Sequence, residues 1–119
     1  MALRDKIATA ARPFLDQGEQ VQAAFPAQTA SQWLALAGYL PFIVSNEYRC
    51  VVATDRRIVI LDAGKMNWAK PKSVLRTLPR ATRIGPASGL WYRTANLGED
   101  LRISKRFFGE IEAADAQAR

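Results

Sequence analysis

The most constraining feature of the sequence is a pair of strand-like segments, 48–54 and 57–62, joined by the polar dipeptide Asp55-Arg56. Valine, isoleucine and tyrosine dominate both segments, and the short polar connection predicts a β-hairpin. In the second segment the isoleucines face one side of the sheet, whereas the valine and leucine face the other. Because both faces are apolar, both must be covered. One face can meet a core, and the other requires the N-terminal helix, the apolar segment 33–44 or a second chain.

The segments before and after this hairpin predict a mainly β chain that begins with a helix. Residues 3–15 carry an apolar stripe at helical spacing, and Gly18 is placed to end that helix. Alternation over 21–25 then predicts a first strand that ends at Pro26. Glycine and proline turns separate the other expected strands, which are 74–78, 90–94 and 101–103.

The last segment predicts a second helix that packs on the strands. Ser104 is the expected N-cap, and an apolar stripe follows it at helical spacing. The residues of that stripe are Phe107, Ile111, Ala114 and Ala118. Six or seven short antiparallel strands with a closing helix favour a small barrel or an orthogonal sandwich. We therefore expect an N-terminal helix over 1–18 and one domain over 19–119.

Composition excludes several kinds of chemistry. The chain has 119 residues, which suits one domain, and it contains no histidine and one cysteine, Cys50. An intramolecular disulfide and histidine-based catalysis or metal binding are therefore excluded, and Cys50 is expected to be a buried structural thiol. No signal peptide is expected, and the longest uncharged apolar run is shorter than the roughly 20 residues that a spanning helix needs. The expected location is cytoplasmic or peripheral at the inner face of the membrane.

Charge is concentrated in the middle of the sequence. The formal net charge is +6, and residues 49–93 contain ten basic side chains but two acidic ones. This excess favours an anionic partner, most simply an anionic membrane surface with low headgroup specificity. The residues expected to form that surface are Lys65, Trp68, Lys70, Lys72, Arg76 and Arg80. A solvated basic surface and a nucleic-acid partner are the alternatives, and Trp68 could instead pack on the barrel wall. Of Arg56 and Arg57, one is expected to fold back onto a carboxylate.

The uncharged run 33–44 is the most unusual segment, because twelve such residues with three aromatic rings cannot simply face water. Three interpretations stay open: it covers the outer face of the hairpin, it packs against another subunit, or it enters one leaflet of a membrane. Its candidate contact residues for self-association are Trp33, Leu36, Tyr39, Leu40 and Phe42.

Two sequence motifs resemble the pleckstrin-homology-type superfamily, in its bacterial PH-like and GRAM-like branch. One is the Leu-x-x-Gly-Glu lead-in at 15–19, and the other is the Val-x-Thr-Asp-Arg-Arg-Ile pattern within the 51–61 hairpin. The resemblance covers roughly residues 15–117, with 33–44 as an insertion between the first two strands. It implies a seven-stranded, strongly bent antiparallel barrel with a C-terminal helix. It also implies a non-catalytic binding or assembly module, for which we expect no cofactor and no metal, and which is expected to form oligomers.

Overall fold

A computed structural model of the protein describes residues 3–29, 47–64 and 70–118. The predictions made for 33–44, Lys65 and Trp68 lie outside these residues. Two α-helices and six strands are present in the described part of the chain, with short 3-10 turns at Arg12–Phe14 and Lys105–Phe107. In chain order the helices and strands are α1 (Leu3–Ala11), β1 (Val21–Gln28), β2 (Tyr48–Thr54), β3 (Arg57–Gly64), β4 (Ser73–Pro79), β5 (Trp91–Thr94), β6 (Leu101–Ser104) and α2 (Phe108–Ala116).

The six strands form one curled antiparallel sheet in the order β4-β3-β2-β1-β6-β5. The predicted hairpin is β2–β3, in which Val51 lies opposite Ile60. The curl brings the two edges of the sheet together, because Arg76 on edge strand β4 bonds Glu99 in the turn between β5 and β6 at 2.6 Å. The mainly β class with a helix near each end is therefore confirmed, and the described residues contain six strands rather than seven.

Both faces of the hairpin are buried, as its two-sided apolar pattern predicts. Ile58 and Ile60 belong to an inner core cluster that also contains Ile111 of α2. Val59 belongs to a second cluster on the opposite face, where Ile7 of α1 is fully buried. Of the coverings that the sequence left open for this outer face, the N-terminal helix therefore supplies one.

Strand β1 continues two residues past Pro26, where the sequence predicted its end. The backbone N–H of Ala24 donates to Glu110 Oε1 at 3.1 Å, so Ala24 directs its backbone polar groups away from β2. Because these directions alternate along a strand, Pro26 faces the same way as Ala24. Its missing N–H therefore removes no hydrogen bond between β1 and β2, and the strand proceeds to Gln28.

Three further boundaries differ from the predictions. The first α-helix ends at Ala11 and a 3-10 turn follows, because Pro13 has no N–H to donate within a helix. Leu90, which was expected to begin a strand, precedes β5 and is 73% exposed. The final helix begins at Phe108 after a 3-10 turn, and Ser104 caps that turn by accepting from the N–H of Arg106.

Candidate functional site

Two segments, 30–46 and 65–69, include residues that were predicted to make contacts. The described residues that flank these segments lie at the same end of the sheet. Gln28, Tyr48 and Gly64 lie side by side in the register of β1, β2 and β3. The N–H of Thr29 donates to the carbonyl of Glu47 at 3.0 Å, which joins the two flanks of segment 30–46. Gly64 directly precedes segment 65–69. We call this end, defined by Gln28, Tyr48 and Gly64, the loop end of the sheet.

Two lysines at the loop end are exposed and have no ion pair with any described residue. Lys70 and Lys72 directly precede β4, and the N–H of Lys72 donates to the carbonyl of Asp62 at 2.7 Å. The Lys72 side chain lies over Gly64, where a Cβ atom would come within 2.7 Å of Nζ. Gly64 has a φ of +72°, so both its backbone conformation and this contact favour glycine. Both ammonium groups are therefore available to an anionic partner.

The carboxylates at the loop end are occupied by arginines. Arg49, whose side chain is 11% exposed, bonds Glu47 at 3.1 Å, Asp62 at 3.2 Å and Glu99 at 3.2 Å. Burial disfavours the charged form of Arg49, but Glu99 and Glu47 outweigh that effect, and the pKa of Arg49 is raised. All three acids bond guanidinium groups, and none of them is within ion-pair distance of Lys70 or Lys72.

Arg76, one of the predicted surface cations, bonds within the protein. Its Nη1 donates to Glu99 Oε2 at 2.6 Å and to the carbonyl of Leu97 at 3.4 Å. Burial alone would raise the pKa of Glu99, but the hydrogen bonds from Arg76 and Arg49 outweigh it and the pKa of that carboxyl is lowered. Arg76 therefore serves the contact between the two edges of the sheet.

Arg80, another predicted surface cation, is 7% exposed. Its Nη2 donates to Gln22 Oε1 at 2.7 Å and to the carbonyl of Ala114 at 2.9 Å, which ties β1 to α2. Burial lowers the pKa of Arg80, and the charge of nearby Asp115 opposes this. Its Nη1 is buried and has no hydrogen-bond partner among the described residues. The structure thus places Lys70 and Lys72 at the surface and takes Arg76 and Arg80 into internal contacts.

The arginine expected to fold back onto a carboxylate is Arg57. Glu19 is fully buried, and its two carboxylate oxygens accept from Arg57 at 3.0 and 3.1 Å. The hydroxyl of Thr54 donates to the same carboxylate at 2.6 Å, and the N–H of Asp16 donates at 2.9 Å. Burial raises the pKa of Glu19, yet these bonds prevail and lower it to about 2. The lead-in motif and the hairpin motif are therefore joined by one buried network, and Arg56 alone of this pair stays exposed.

Sequence reasoning missed the acidic partners, because it counted charge along the chain rather than across the sheet. Glu19, Glu47 and Glu99 all lie outside 49–93, and each bonds an arginine from within that range. The signal was present: the flanks contain nine acidic against seven basic side chains, whereas the middle is strongly basic. This difference in charge predicts ion pairs between the flanks and the middle of the sequence.

Taken together, the elements define a mainly β domain with a curled antiparallel sheet and an exposed lysine pair at one end. No family model, curated protein or solved structure matches the chain. Within the described residues, no helix is long and apolar enough to cross a membrane. No cluster of acidic or cysteine side chains in that part of the chain could hold a metal ion.

Proposed function

We propose that the protein is a non-catalytic binding module that docks on anionic lipid surfaces through the loop end of its sheet. The carrying observation is that the flanks of segment 30–46 and of segment 65–69 lie side by side there, next to exposed Lys70 and Lys72. Through these flanks, the chain connects one end of the sheet to an uncharged aromatic segment and to a basic segment that includes Lys65 and Trp68. Peripheral membrane proteins combine aromatic side chains at headgroup depth with cations on phosphates.

We further propose that the fold belongs to the PH-like type that the sequence resembles. The single curled antiparallel sheet followed by a C-terminal helix supports this, as does the Glu19–Arg57 network that joins the two resembling motifs. A seven-stranded barrel remains part of this proposal rather than an observation. In the proposed docking surface Lys65, Trp68, Lys70 and Lys72 are retained, whereas Arg76 and Arg80 are assigned to internal contacts.

Vesicle binding tests the docking proposal. Each lysine held near an anionic membrane contributes about 1 kcal/mol, so K70Q combined with K72Q should weaken binding about 30-fold. The measurement is co-sedimentation with vesicles of phosphatidylcholine plus phosphatidylglycerol, at low and at high salt. Binding should require phosphatidylglycerol and should fall as salt rises.

The matched control removes two exposed cations that lie outside the proposed docking surface. R56Q combined with R83Q makes the same change in net charge, and both side chains are exposed. This control should lose much less affinity than the lysine variant. Equal losses in the two double variants, or equal binding to vesicles of phosphatidylcholine alone, would overturn the proposal.

Self-assembly is the second candidate function, and the exposed apolar side chains of edge strand β4 favour it. β4 is the last strand of the sheet on one side, and Val74 and Leu75 are 41% and 42% exposed. An exposed apolar edge strand invites pairing with another chain. Together with the predicted contact residues of 33–44, this edge would join copies of the protein. Light scattering decides the question: V74K should convert an oligomer to a monomer, and a wild-type monomer at tens of micromolar would reject this function.

A further inference from the structure

A groove opens in the sheet where β1 and β6 separate. The two strands pair at a single position, Gln28 with Arg102, and antiparallel register would next place Pro26 opposite Ser104. The backbone of Pro26 faces this side, and proline has no N–H to donate to a neighbouring strand. The ladder therefore ends after one pair, and a groove of about 270 Å³ lies beyond it.

The described walls of the groove are largely apolar. Pro26 and Ala27 of β1 form one wall, and Trp91 and Phe107 contribute aromatic surface. Its volume lies just below the range of pockets that hold whole small molecules, which is roughly 300–1,000 Å³. The groove therefore suits part of an amphiphile, such as a headgroup with the first carbons of its chain.

The charge of the groove is positive. Arg102 and Arg106 both line it, and no carboxylate is among its described lining residues. Arg102 is held in place, because its Nη1 donates to the carbonyl of Thr29 at 2.8 Å and its Nη2 lies 3.8 Å from Asp100. Arg106 lies over the ring of Phe107, with 5.3 Å between its Cζ atom and the ring centroid. No carboxylate of the described residues is within ion-pair distance of Arg106, so its charge is available.

We infer that this groove binds the headgroup and upper chain of a single anionic phospholipid. The phosphate meets Arg106, and the first carbons of the chain contact Trp91, Phe107 and Pro26. The inference rests on the proposed docking only for the source of the lipid, since Gln28 and Tyr48 place the groove at the loop end of the sheet. The site differs from the lysine pair, which attracts a surface and does not select one molecule.

The test uses a soluble lipid, so that binding does not depend on a membrane. Dihexanoyl phosphatidylglycerol, kept below its micelle concentration, is titrated into the whole chain while amide and indole NMR signals are followed. Saturable shifts should concentrate on Ala27, Ser104 and the Trp91 indole. R106Q should weaken binding by at least about tenfold, because a hydrogen bond to a charged group contributes about 1.5–3 kcal/mol.

The matched control is K105Q, which removes the same charge from an exposed neighbour outside the groove lining. Its affinity should stay within about twofold of the wild type, as expected for an exposed charge that does not line the groove and is screened by salt. Equal losses in R106Q and K105Q, equal binding of dihexanoyl phosphatidylcholine, or shifts confined to other surfaces would overturn the inference. If vesicle docking depends on Lys70 and Lys72 but the lipid causes no NMR shifts at the groove, the inferred lipid site is wrong and the proposed docking stands. If the soluble lipid binds the groove but the protein does not bind vesicles, the proposed docking is wrong and the inferred lipid site stands.

Discussion

Replacing Glu19 by glutamine should make the stability of this protein less dependent on pH. In the wild type the carboxylate is fully buried and accepts four hydrogen bonds, two of them from Arg57. Glutamine has nearly the same shape but no charge, so E19Q leaves the guanidinium beside an uncharged partner. The substitution also replaces one accepting oxygen by an amide NH2 group, which cannot accept the two hydrogen bonds made at that position. The pH-dependent part of the stability change therefore reports the charge of Glu19.

The magnitude follows from the pKa of Glu19, which folding lowers from 4.5 to about 2. A carboxyl with these two pKa values contributes about 3 kcal/mol to the free energy of unfolding at pH 7. Because the folded-state value is the lower one, this contribution is complete above about pH 5 and is lost as the pH falls toward 2. By pH 3 about half of it should remain.

The assay is urea unfolding of both proteins at a series of pH values from 7 to 3, followed by tryptophan fluorescence. E19Q should be less stable by about 3 kcal/mol at pH 7, and the difference should shrink by about half at pH 3. E112Q, which changes an exposed glutamate of α2, controls for the loss of one carboxylate. A difference between wild type and E19Q that stays constant across this range would refute the assignment of the charge to Glu19.

Three further predictions rest on single contacts. R80K should lower the free energy of unfolding by about 1–2 kcal/mol in urea titrations, because a lysine cannot donate to both acceptors of this buried guanidinium. Its vesicle binding should match that of the wild type. A variant with unchanged stability and weakened binding would contradict the internal role of Arg80. G64A should lower the free energy of unfolding by at least about 1 kcal/mol, as measured by thermal unfolding. Combining it with K72A should recover the part of this loss that is due to the contact with Lys72, but not the part that is due to the positive φ. Full recovery, or none, would contradict this assignment of the loss to two causes. Burial raises the pKa of Cys50 to about 12, so a thiol reagent at pH 8 should label the unfolded chain but not the native protein. Fast labelling of the native protein would contradict the burial of Cys50.

Local patterns predicted the elements that depend on neighbouring residues. The alternation within 57–62 identified a strand buried on both faces, because a period of two is a property of the strand itself. Ser104 was identified as a cap for a similar reason, since its hydroxyl serves an N–H two residues away. Such signals need no knowledge of what lies across the sheet.

The end of β1 and the fate of the arginines could not be predicted in the same way. A proline in a strand ends pairing on one side only, and which side depends on the register with strands distant in sequence. Pro26 ends the ladder with β6 and leaves the one with β2 intact. Arg80 likewise lies beside a strand rich in exposed residues, and its burial depends on α2, which begins 28 positions later.

The distribution of charge in the folded protein changes how a basic sequence should be interpreted. Arginine was used here mainly for internal contacts: Arg49, Arg57, Arg76 and Arg80 each bond groups from other elements. A planar guanidinium with five donors suits such shared, partly buried positions, whereas lysine is a strongly hydrated point charge on a flexible stem. The exposed lysines next to β4 therefore indicate an anionic external partner more directly than the larger number of arginines does. For a basic protein of this size, the count that predicts anion binding is the number of cations left after the carboxylates of the fold have been assigned.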